Sequence, residues 1–317
     1  MNRISAEPNQ RPNRVGVIDI GSNTVLLLVT DVDGAPVDEA SRITRIGKGV
    51  FESGRLDAER ARLTRDSVIE FAERARQQSA SPVVAVATEA LRRAEGGREF
   101  LAELQQDAGL DRAWLLSGEE EARYTIEASR RAYAHETDLV VVDIGGGSTE
   151  LAWRDGDRVR GISLPLGSVR LSESEVRDDP PSGADLARLA AACDRILTAA
   201  GLEAIRGSGT AIALAGTATT LAALDQELLE YRDERVEGYP VTRSRLNHWI
   251  QRLARLPLAQ RKCLPGMEPG RADVILAGLV IMERVWELLG VPAFRISGRG
   301  VRHGVALSLL PEGTARC

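Results

Sequence analysis

The chain has 317 residues, of which 43% are hydrophobic and 27% are charged, a composition typical of a globular protein in water. Its 41 basic and 46 acidic side chains give a net charge of −5, which argues against a nucleic-acid binder because such proteins carry basic surfaces. No apolar run approaches the roughly 20 residues of a membrane-spanning helix, so we expect neither nucleic acid nor a membrane as a partner.

The length and the cysteines indicate the organisation and the compartment. A chain of 317 residues is long enough for two domains. Cys193, Cys263 and Cys317 lie far apart and form no C-x-x-C pair, a pattern typical of a reducing compartment. Residues 1–14 are polar and lack the apolar segment of a signal peptide, so they indicate a short lead. We therefore expect a cytoplasmic protein.

Strand and helix signals alternate along the chain, which predicts an α/β fold. Two β-rich runs flank Ser22 and Asn23 and predict a hairpin with a tight turn. In the first half we predict strands at 15–21, 24–30, 43–46, 83–87 and 113–116. We predict helices at 56–78 and 118–133, and Asp57 is the expected N-cap of the first of them. In the second half we predict strands at 139–144, 149–153, 158–164 and 294–297, and a strand that runs into a turn at 212–217. We predict helices at 184–200, 220–224, 243–255 and 272–289, a terminal helix, and an exposed loop at 172–183.

The first hairpin has a second copy later in the chain. Val-Ile-Asp-Ile-Gly around Asp19 recurs as Val-Val-Asp-Ile-Gly around Asp143, 124 positions further on. In both copies another strand follows the glycine turn. An internal repeat of this kind predicts a duplicated domain, each copy with an aspartate and glycine at the tip of its hairpin.

The tip of the second hairpin has the composition of a phosphate site. Three consecutive glycines at 145–147 allow backbone N–H groups to converge on an anion. Asp143 and Glu150 lie on either side, and two carboxylates repel a phosphate unless a hard cation such as Mg²⁺ lies between them. A plain glycine-rich turn explains one copy equally well, but two copies that each carry aspartate favour phosphate binding.

Three further segments place glycine or arginine where an anion can bind. Gly216 and Thr217 lie where a strand meets a helix N-terminus, although Gly-Thr at that place is also common capping. Arg302 belongs to a glycine-rich turn before the terminal helix. Arg92 follows the apolar strand at 83–87, whose end lies at the ligand-binding edge of an α/β sheet. For both arginines, solvent exposure is an equally good interpretation.

An acidic helix start supplies one more candidate. Ser117 and Glu120 match a capping box and Glu119 complements the helix dipole, so all three have structural explanations. Glu121 is left over one step inside the helix, and a carboxylate beside a phosphate and away from metal can accept a proton from water. Spacing alone favours a structural role for Glu121.

Together these motifs resemble the exopolyphosphatase / guanosine pentaphosphate phosphohydrolase family. The resemblance rests on the hairpins around Asp19 and Asp143 and on segments 87–92, 117–123, 216–219, 271–278 and 300–304, in the family's order. It extends from about Val15 to Leu310, nearly the whole chain. The second hairpin together with Glu-Glu-Ala-Arg at 120–123 is its specific part, since actin-like kinases share the hairpins but not that segment.

The resemblance implies an α/β fold of two ribonuclease-H-like domains of the actin/hexokinase/Hsp70 superfamily, here at 1–124 and 125–317, with the site in the interdomain cleft. It implies Mg²⁺-dependent hydrolysis of the terminal phosphoanhydride of inorganic polyphosphate, or of the 5′ γ-phosphate of guanosine pentaphosphate. The chain resembles the short form without the C-terminal HD-type domain, which favours short chains or nucleotides as substrates. Dimers are familiar in that family, so a homodimer is a further hypothesis.

The resemblance also implies a role for each motif residue. Glu121 would be the general base, and Asp143, Glu150 and Asp19 would sit at the metal. The phosphate-binding residues would be Ser22, Asn23, Arg92, Gly145, Gly146, Gly147, Ser148, Gly216, Thr217 and Arg302. The last motif departs from the family, because His303 stands where glutamate is usual, and the site there is expected to differ in charge.

The sequence is compatible with several functions. Polyphosphate hydrolysis is the leading hypothesis and guanosine pentaphosphate hydrolysis is the alternative, without a clear guanine pocket in the sequence. A sugar or acetate kinase of the same superfamily, or a non-catalytic nucleotide or phosphate sensor, would keep the hairpins but would not need a water-activating carboxylate at Glu121. Chain-length preference, processivity and oligomeric state are not determined by the sequence.

Overall fold

Two β-sheets with helices packed against them form the protein. The computed structural model describes residues 14–136, 138–155, 158–202, 205 and 209–310. Most of the predicted lead at residues 1–14, and Cys317, lie outside the described residues. The α/β class predicted from the alternating strand and helix signals is confirmed by the order of the elements.

The first sheet carries the first hairpin in its centre. Its strands are β1 (Arg14–Ile20), β2 (Thr24–Asp31), β3 (Pro36–Ile43), β4 (Val83–Ala87) and β5 (Arg112–Leu115), in the spatial order β3-β2-β1-β4-β5. The first three strands form an antiparallel meander, while β4 pairs parallel with β1 and β5 pairs parallel with β4.

The second sheet repeats this topology. Its strands are β6 (Leu139–Ile144), β7 (Thr149–Asp155), β8 (Arg158–Leu164), β9 (Thr210–Leu214), β10 (Pro240–Thr242) and β11 (Ala293–Ile296), in the spatial order β10-β11-β9-β6-β7-β8. Strands β8, β7 and β6 form the antiparallel meander, β9 and β11 follow in parallel, and β10 adds an antiparallel edge. The two hairpins of the sequence repeat therefore occupy the same place in their sheets.

Helices cover both sheets. They are α1 (Val50–Ser53), α2 (Ala58–Gln77), α3 (Glu89–Arg93), α4 (Gly97–Asp107), α5 (Gly118–Ala132), α6 (Ser168–Glu175), α7 (Gly183–Ala200), α8 (Ala215–Asp225), α9 (Asp233–Val236), α10 (Arg243–Ala254), α11 (Leu258–Arg261), α12 (Ile275–Leu289) and α13 (Val301–Leu309). Asp57 caps α2 as predicted, since its side chain accepts from the Arg60 N–H. None of the helices in the described ranges has the length and apolarity needed to cross a membrane.

The predicted third strand at 43–46 is wrong, because β3 ends at Ile43 and the chain then wraps around the first hairpin tip. The N–H groups of Thr44 and Arg45 both donate to the carbonyl of Asn23, and Gly47 N–H donates to that of Ser22. Arg45 adopts a φ of 57°, which takes the backbone out of the extended region. Hydrogen bonds that would extend the sheet are thus used to support the hairpin tip.

Two other boundaries differ from the sequence expectation. Residues 168–175 form α6, so the exposed loop predicted at 172–183 begins only after Glu175. The helix predicted at 220–224 begins earlier, at Ala215, which places Gly216 and Thr217 in the first turn of α8. At the start of α6, the N–H groups of Ser168 and Val169 donate to the carbonyls of Gly145 and Gly146 in the second hairpin tip.

Helix α13 ties the C-terminal part of the chain to the first sheet. Its apolar face, including Val301 and Val305, packs in one cluster with Val15, Val17 and Leu28 of β1 and β2. Helix α5 lies against β6, β7, β8 and α13 and spans the predicted domain boundary between residues 124 and 125. That boundary stays a prediction.

Candidate active site

The two hairpin tips are built alike. Gly21 N–H donates to the Thr24 carbonyl at 3.0 Å, and Gly145 N–H donates to the Ser148 carbonyl at 3.0 Å. Each bond closes the turn between two antiparallel strands, so the residues between them are held at the end of a rigid hairpin.

The second tip touches the first so closely that Gly147 admits no side chain. A Cβ at this position would lie 2.6 Å from Phe51 Cζ, 2.7 Å from Ser22 Oγ and 3.0 Å from Glu89 Cγ. The glycine is therefore needed for the close approach of the two halves of the molecule.

A cavity of about 120 Å³ lies between the tips, and we call it the hairpin cavity. Of the residues proposed from the sequence, its walls contain Asp19, Ser22, Asn23, Glu121, Asp143, Gly145, Gly146, Gly147, Ser148, Glu150, Gly216, Thr217 and Arg302. The fold thus gathers side chains from both hairpins, from the start of α5, from α8 and from α13. Arg92 lies outside these walls.

Strand register places two carboxylates side by side on the second half only. Asp143 of β6 is directly opposite Glu150 of β7. In the first half, the partner of Asp19 is Leu26. Like charges directly opposite each other in a sheet are destabilising, so Asp143 and Glu150 indicate a place where a proton or a cation is bound.

Four carboxyl groups of the cavity have raised pKa values. Burial raises the pKa of Asp19 to about 6, although the positive charge of Arg302 opposes this rise. Burial also raises the pKa of Glu150 to about 7, although hydrogen bonds from Ser163 and Ser148 oppose it. Burial, followed by the negative charge of Glu150, raises the pKa values of Asp143 and Glu121 well above their ordinary range. When burial and neighbouring negative charges destabilise the ionised form of several carboxyl groups, the group binds protons or a divalent cation readily.

The donor atoms fit Mg²⁺. Oδ1 of Asp19 is buried and without a hydrogen-bond partner among the described residues, so it is an oxygen that a ligand has to satisfy. Within the described ranges, no three His, Cys, Asp or Glu side chains converge into a complete metal site. Mg²⁺ does not need one, because it commonly takes one or two carboxylates and fills its octahedron with water and substrate phosphate.

Glu121 is fixed in the first turn of α5. The capping box predicted for Ser117 and Glu120 is present, with both reciprocal hydrogen bonds formed. This cap leaves Glu121 free to face the cavity, where it is 4% exposed. Its Oε1 accepts a hydrogen bond of 2.6 Å from Nη1 of Arg92, which lowers the pKa of Glu121 against the raising effect of burial.

The two arginines proposed from the sequence are both engaged with carboxylates. Arg92 binds Glu121 and Glu89, so the structure places it behind the cavity wall rather than in it. Arg302 lines the cavity, and its Nη2 donates to Glu39 of β3 at 2.7 Å. Phosphate binding by Arg92 and Arg302 stays a prediction.

Arg271 is a cavity residue that the sequence reasoning did not select. Its guanidinium is inserted between the halves, where Nη2 donates to Thr24 Oγ1 at 3.2 Å and the side chain covers Gly216 so closely that a Cβ there would overlap it. Burial lowers its pKa. A signal was present in the sequence, because Arg271 opens one of the segments that carry the family resemblance, but nothing local marks it as facing an anion.

His303 does not face the hairpin cavity. It lies in a separate small cavity with Thr30, Ala128 and Leu307, and its Nδ1 has no partner among the described residues. Burial, with the positive charges of Arg302 and Arg299, lowers the pKa of His303 well below its ordinary value. The histidine is therefore a neutral packing residue of α13.

A second, larger cavity adjoins the first, and we call it the outer cavity. Its volume is about 670 Å³. It shares Leu26, Ala215, Gly216, Arg271, Gly298 and Arg302 with the hairpin cavity. Its remaining walls include the apolar side chains of Leu228, Leu229, Tyr231, Leu264 and Met267. A ligand bound at the hairpin tips can thus extend into a wider and more apolar space.

Comparison with known proteins identifies the family. The sequence model of the Ppx/GppA phosphatase family matches residues 28–313. The chain belongs to the Ppx/GppA phosphatase family. It is 32% identical to exopolyphosphatase 2 of Mycobacterium tuberculosis, over 93% of this chain and 98% of that protein. It is 30% identical to exopolyphosphatase 1 of Mycobacterium bovis, over 95% and 90%.

Solved structures of Ppx/GppA proteins share the fold. The Aquifex aeolicus Ppx/GppA enzyme is 35% identical with a TM-score of 0.78, over 93% of this chain and 99% of that one. An exopolyphosphatase-like protein is 28% identical with a TM-score of 0.85, over 93% and 98%. The predicted two ribonuclease-H-like domains of the actin/hexokinase/Hsp70 superfamily are confirmed. The predicted enzyme class, a phosphoanhydride hydrolase, is confirmed by the family.

Proposed function

We propose that the protein is an exopolyphosphatase that removes the terminal phosphate of inorganic polyphosphate with the help of Mg²⁺. The observation that carries this proposal is the position of Glu121, a buried carboxylate in the wall of the hairpin cavity whose pKa is restrained by Arg92. A hydrolase needs such a group to take a proton from water, whereas a kinase or a phosphate sensor does not.

The terminal phosphate is bound by backbone and side-chain donors of both halves. The N–H groups of Gly146 and Gly147 would form a nest, Ser22 and Ser148 line the cavity with hydroxyls, and the helix start at Gly216 and Thr217 adds its dipole. The Asn23 amide is buried and has no partner among the described residues, so it is available to the anion. Arg302 and Arg271 supply positive charge.

One or two carboxylates of the set Asp143, Glu150 and Asp19 would hold Mg²⁺ together with water and substrate phosphate, and the ion would neutralise charge on the phosphate oxygens when it is bound. Glu121 orients a water and takes its proton. The water oxygen bonds to the terminal phosphorus, the bridging P–O bond breaks, and the shortened chain leaves with that electron pair. Burial of Glu121 keeps bulk water from competing for the proton.

Guanosine pentaphosphate is the second candidate substrate, and the outer cavity favours it. Three basic residues of that cavity, Lys262, Arg271 and Arg302, are balanced by three acidic ones, Glu39, Asp233 and Glu268. A neutral and partly apolar cavity of about 670 Å³ suits a nucleoside or a short phosphate chain better than a long polyanion.

One assay tests these alternatives. Phosphate release with Mg²⁺ is measured on tripolyphosphate, on longer polyphosphates, on guanosine pentaphosphate and on ATP with and without an acceptor. Release from polyphosphates supports the proposal, and exclusive release from guanosine pentaphosphate supports the second candidate. Reaction of ATP only with an acceptor would indicate a kinase, and no turnover of any compound would indicate a sensor. The cytoplasmic location and the homodimer stay predictions.

A further inference from the structure

Glu89 is a buried acid at the junction of the two halves, outside the walls of the hairpin cavity. It is the first residue of α3 and is 6% exposed. A carboxylate so deeply buried is retained only where cations or donors satisfy it. Three arginines surround this one, and they come from both halves of the molecule.

Two of the arginines belong to the same helix as Glu89. Oε2 accepts from Nη2 of Arg92 at 2.5 Å, and Oε1 accepts from Nε of Arg93 at 2.9 Å. The other terminal nitrogen of Arg92 binds Glu121 at 2.6 Å and also the carbonyl of Leu116. Glu89 therefore fixes the guanidinium of Arg92 from the side opposite Glu121, so that only one nitrogen points to the proposed base.

The third arginine reaches Glu89 from the second half. Nη2 of Arg170 lies 3.4 Å from Oε1 of Glu89, and its guanidinium stacks on Phe51, 4.5 Å from the ring centre. The backbone N–H of Arg170 donates to the Gly146 carbonyl at 3.2 Å. Through Arg170, the same carboxylate is connected to the glycine tip of the second hairpin.

We propose that Glu89 is a positioning residue that couples the proposed base to the phosphate tip. One of its oxygens orients Arg92 against Glu121, and the other holds Arg170 and, through it, the tip at 145–147 against the first half. This inference rests on the proposed function for its kinetic part, while its structural part stands on the contacts alone.

The first experiment compares Glu89→Gln with Arg93→Ala. Glutamine keeps the shape of the side chain but loses the negative charge that holds three arginines. Because small displacements of reacting groups slow a reaction strongly, kcat is expected to fall by about 10- to 100-fold. KM is expected to stay within about threefold of wild type. Arg93 binds the same carboxylate without touching Glu121, and its side chain is 58% exposed. Arg93→Ala is expected to keep kcat within about twofold.

A double-mutant comparison separates positioning from a general structural effect. If Glu89 acts through Arg92, Glu89→Gln lowers kcat much less in an Arg92→Ala background than in the wild type. Effects that add in full would overturn the inference, because Glu89 would then act independently of Arg92. A kcat of Glu89→Gln within about twofold of wild type would overturn it as well.

Hydrogen exchange supplies a readout that does not depend on turnover. Amides at 145–147 and 168–171 are expected to exchange faster in Glu89→Gln than in wild type. In Arg93→Ala, their exchange rates are expected to be the same as in wild type. Unchanged exchange in Glu89→Gln would overturn the coupling even if the enzyme is active. A wild-type protein without turnover on any substrate would refute the proposed function, and exchange would still decide the coupling. Should Glu89→Gln fail to fold, Arg170→Lys removes the stacked guanidinium and carries the same expectation for exchange.

Discussion

Nη1 of Arg92 lies 2.6 Å from Oε1 of Glu121 and binds this carboxylate from behind the wall of the hairpin cavity. Burial and the neighbouring Glu150 raise the pKa of Glu121, and the guanidinium opposes both. The guanidinium therefore moderates the rise in the pKa of this buried acid through a contact to one of its two oxygens.

Replacing the proposed base should separate binding from hydrolysis. We expect Glu121→Gln to lower phosphate release by at least about 100-fold, because the amide cannot take a proton from water. Ligand affinity, measured by calorimetry with a non-hydrolysable phosphate analogue, should change by less than about threefold. The exposed Glu119→Gln on the same helix turn is the control and should stay active. Full activity of Glu121→Gln would refute the base role.

Removing the guanidinium should change the pH profile. Arg92 lowers the pKa of Glu121, so Arg92→Ala raises that pKa, and the acidic limb of kcat/KM should move to higher pH. The measurement is a rate profile from pH 5 to 9, with Arg93→Ala as the matched arginine variant. An acidic limb that stays in place in Arg92→Ala would show that Glu121 does not control it.

A methyl group added at Gly147 should not fit into the contact between the two hairpin tips. Gly147→Ala places a Cβ against Ser22 and Phe51, so the second tip has to move away and phosphate release should fall by about 100-fold. Gly183, at the start of α7, has open space around its Cβ position. Gly183→Ala is therefore expected to keep wild-type activity. Equal activities of the two variants would contradict the close approach.

Cation binding should compete with protons. The pKa values of Asp19 and Glu150 are raised to about 6 and about 7, so in metal-free protein the stability these groups contribute at low pH is lost as the pH rises through this range. Mg²⁺ should then raise the unfolding temperature more at pH 8 than at pH 5.5, and EDTA should stop phosphate release. The same thermal shift at both pH values, or an undiminished shift in Glu150→Gln, would contradict this site.

His303 should make the protein sensitive to acid. Its pKa is lowered in the folded state, so the unfolded state binds more protons below about pH 6.5 and stability falls as the pH decreases. In His303→Gln, the decrease in unfolding free energy between pH 6.5 and 5 should be smaller by up to about 1.4 kcal/mol per pH unit. Denaturant titrations at both pH values measure this difference. Parallel curves for the two proteins would refute a buried neutral imidazole.

The parts of the fold that depend on local pattern were predictable, and those that depend on distant contacts were not. The hairpins, the cap of α2 and the strand at 139–144 follow from short-range propensity, and the structure confirms them. The end of β3 is determined by bonds to the Asn23 carbonyl, which no local pattern reveals. The segment of α6 lacks the strong periodicity that marks a long helix.

The candidate site shows the same division. Spacing alone does not distinguish capping from catalysis for Glu121, and only the family resemblance favours catalysis. The structure then showed that Ser117 and Glu120 complete the cap without Glu121. Arg271 reaches the cavity from a segment about 250 residues away from Thr24, its hydrogen-bond partner. Contacts of this range arise from the closure of the two halves and have no local sequence signal.

The two hairpins of the duplicated site differ in one cross-strand pair. Asp19 lies opposite Leu26 in the first hairpin, whereas Asp143 lies opposite Glu150 in the second, so the two ends of the site are not equivalent. Two identical halves would offer a linear anion the same surroundings at both ends. Here one side of the cleft carries the carboxylate pair, while Leu26 lines the passage to the outer cavity. On the proposed function, a phosphate chain held between the hairpins would present its end to the carboxylate pair, and the remainder would leave past Leu26.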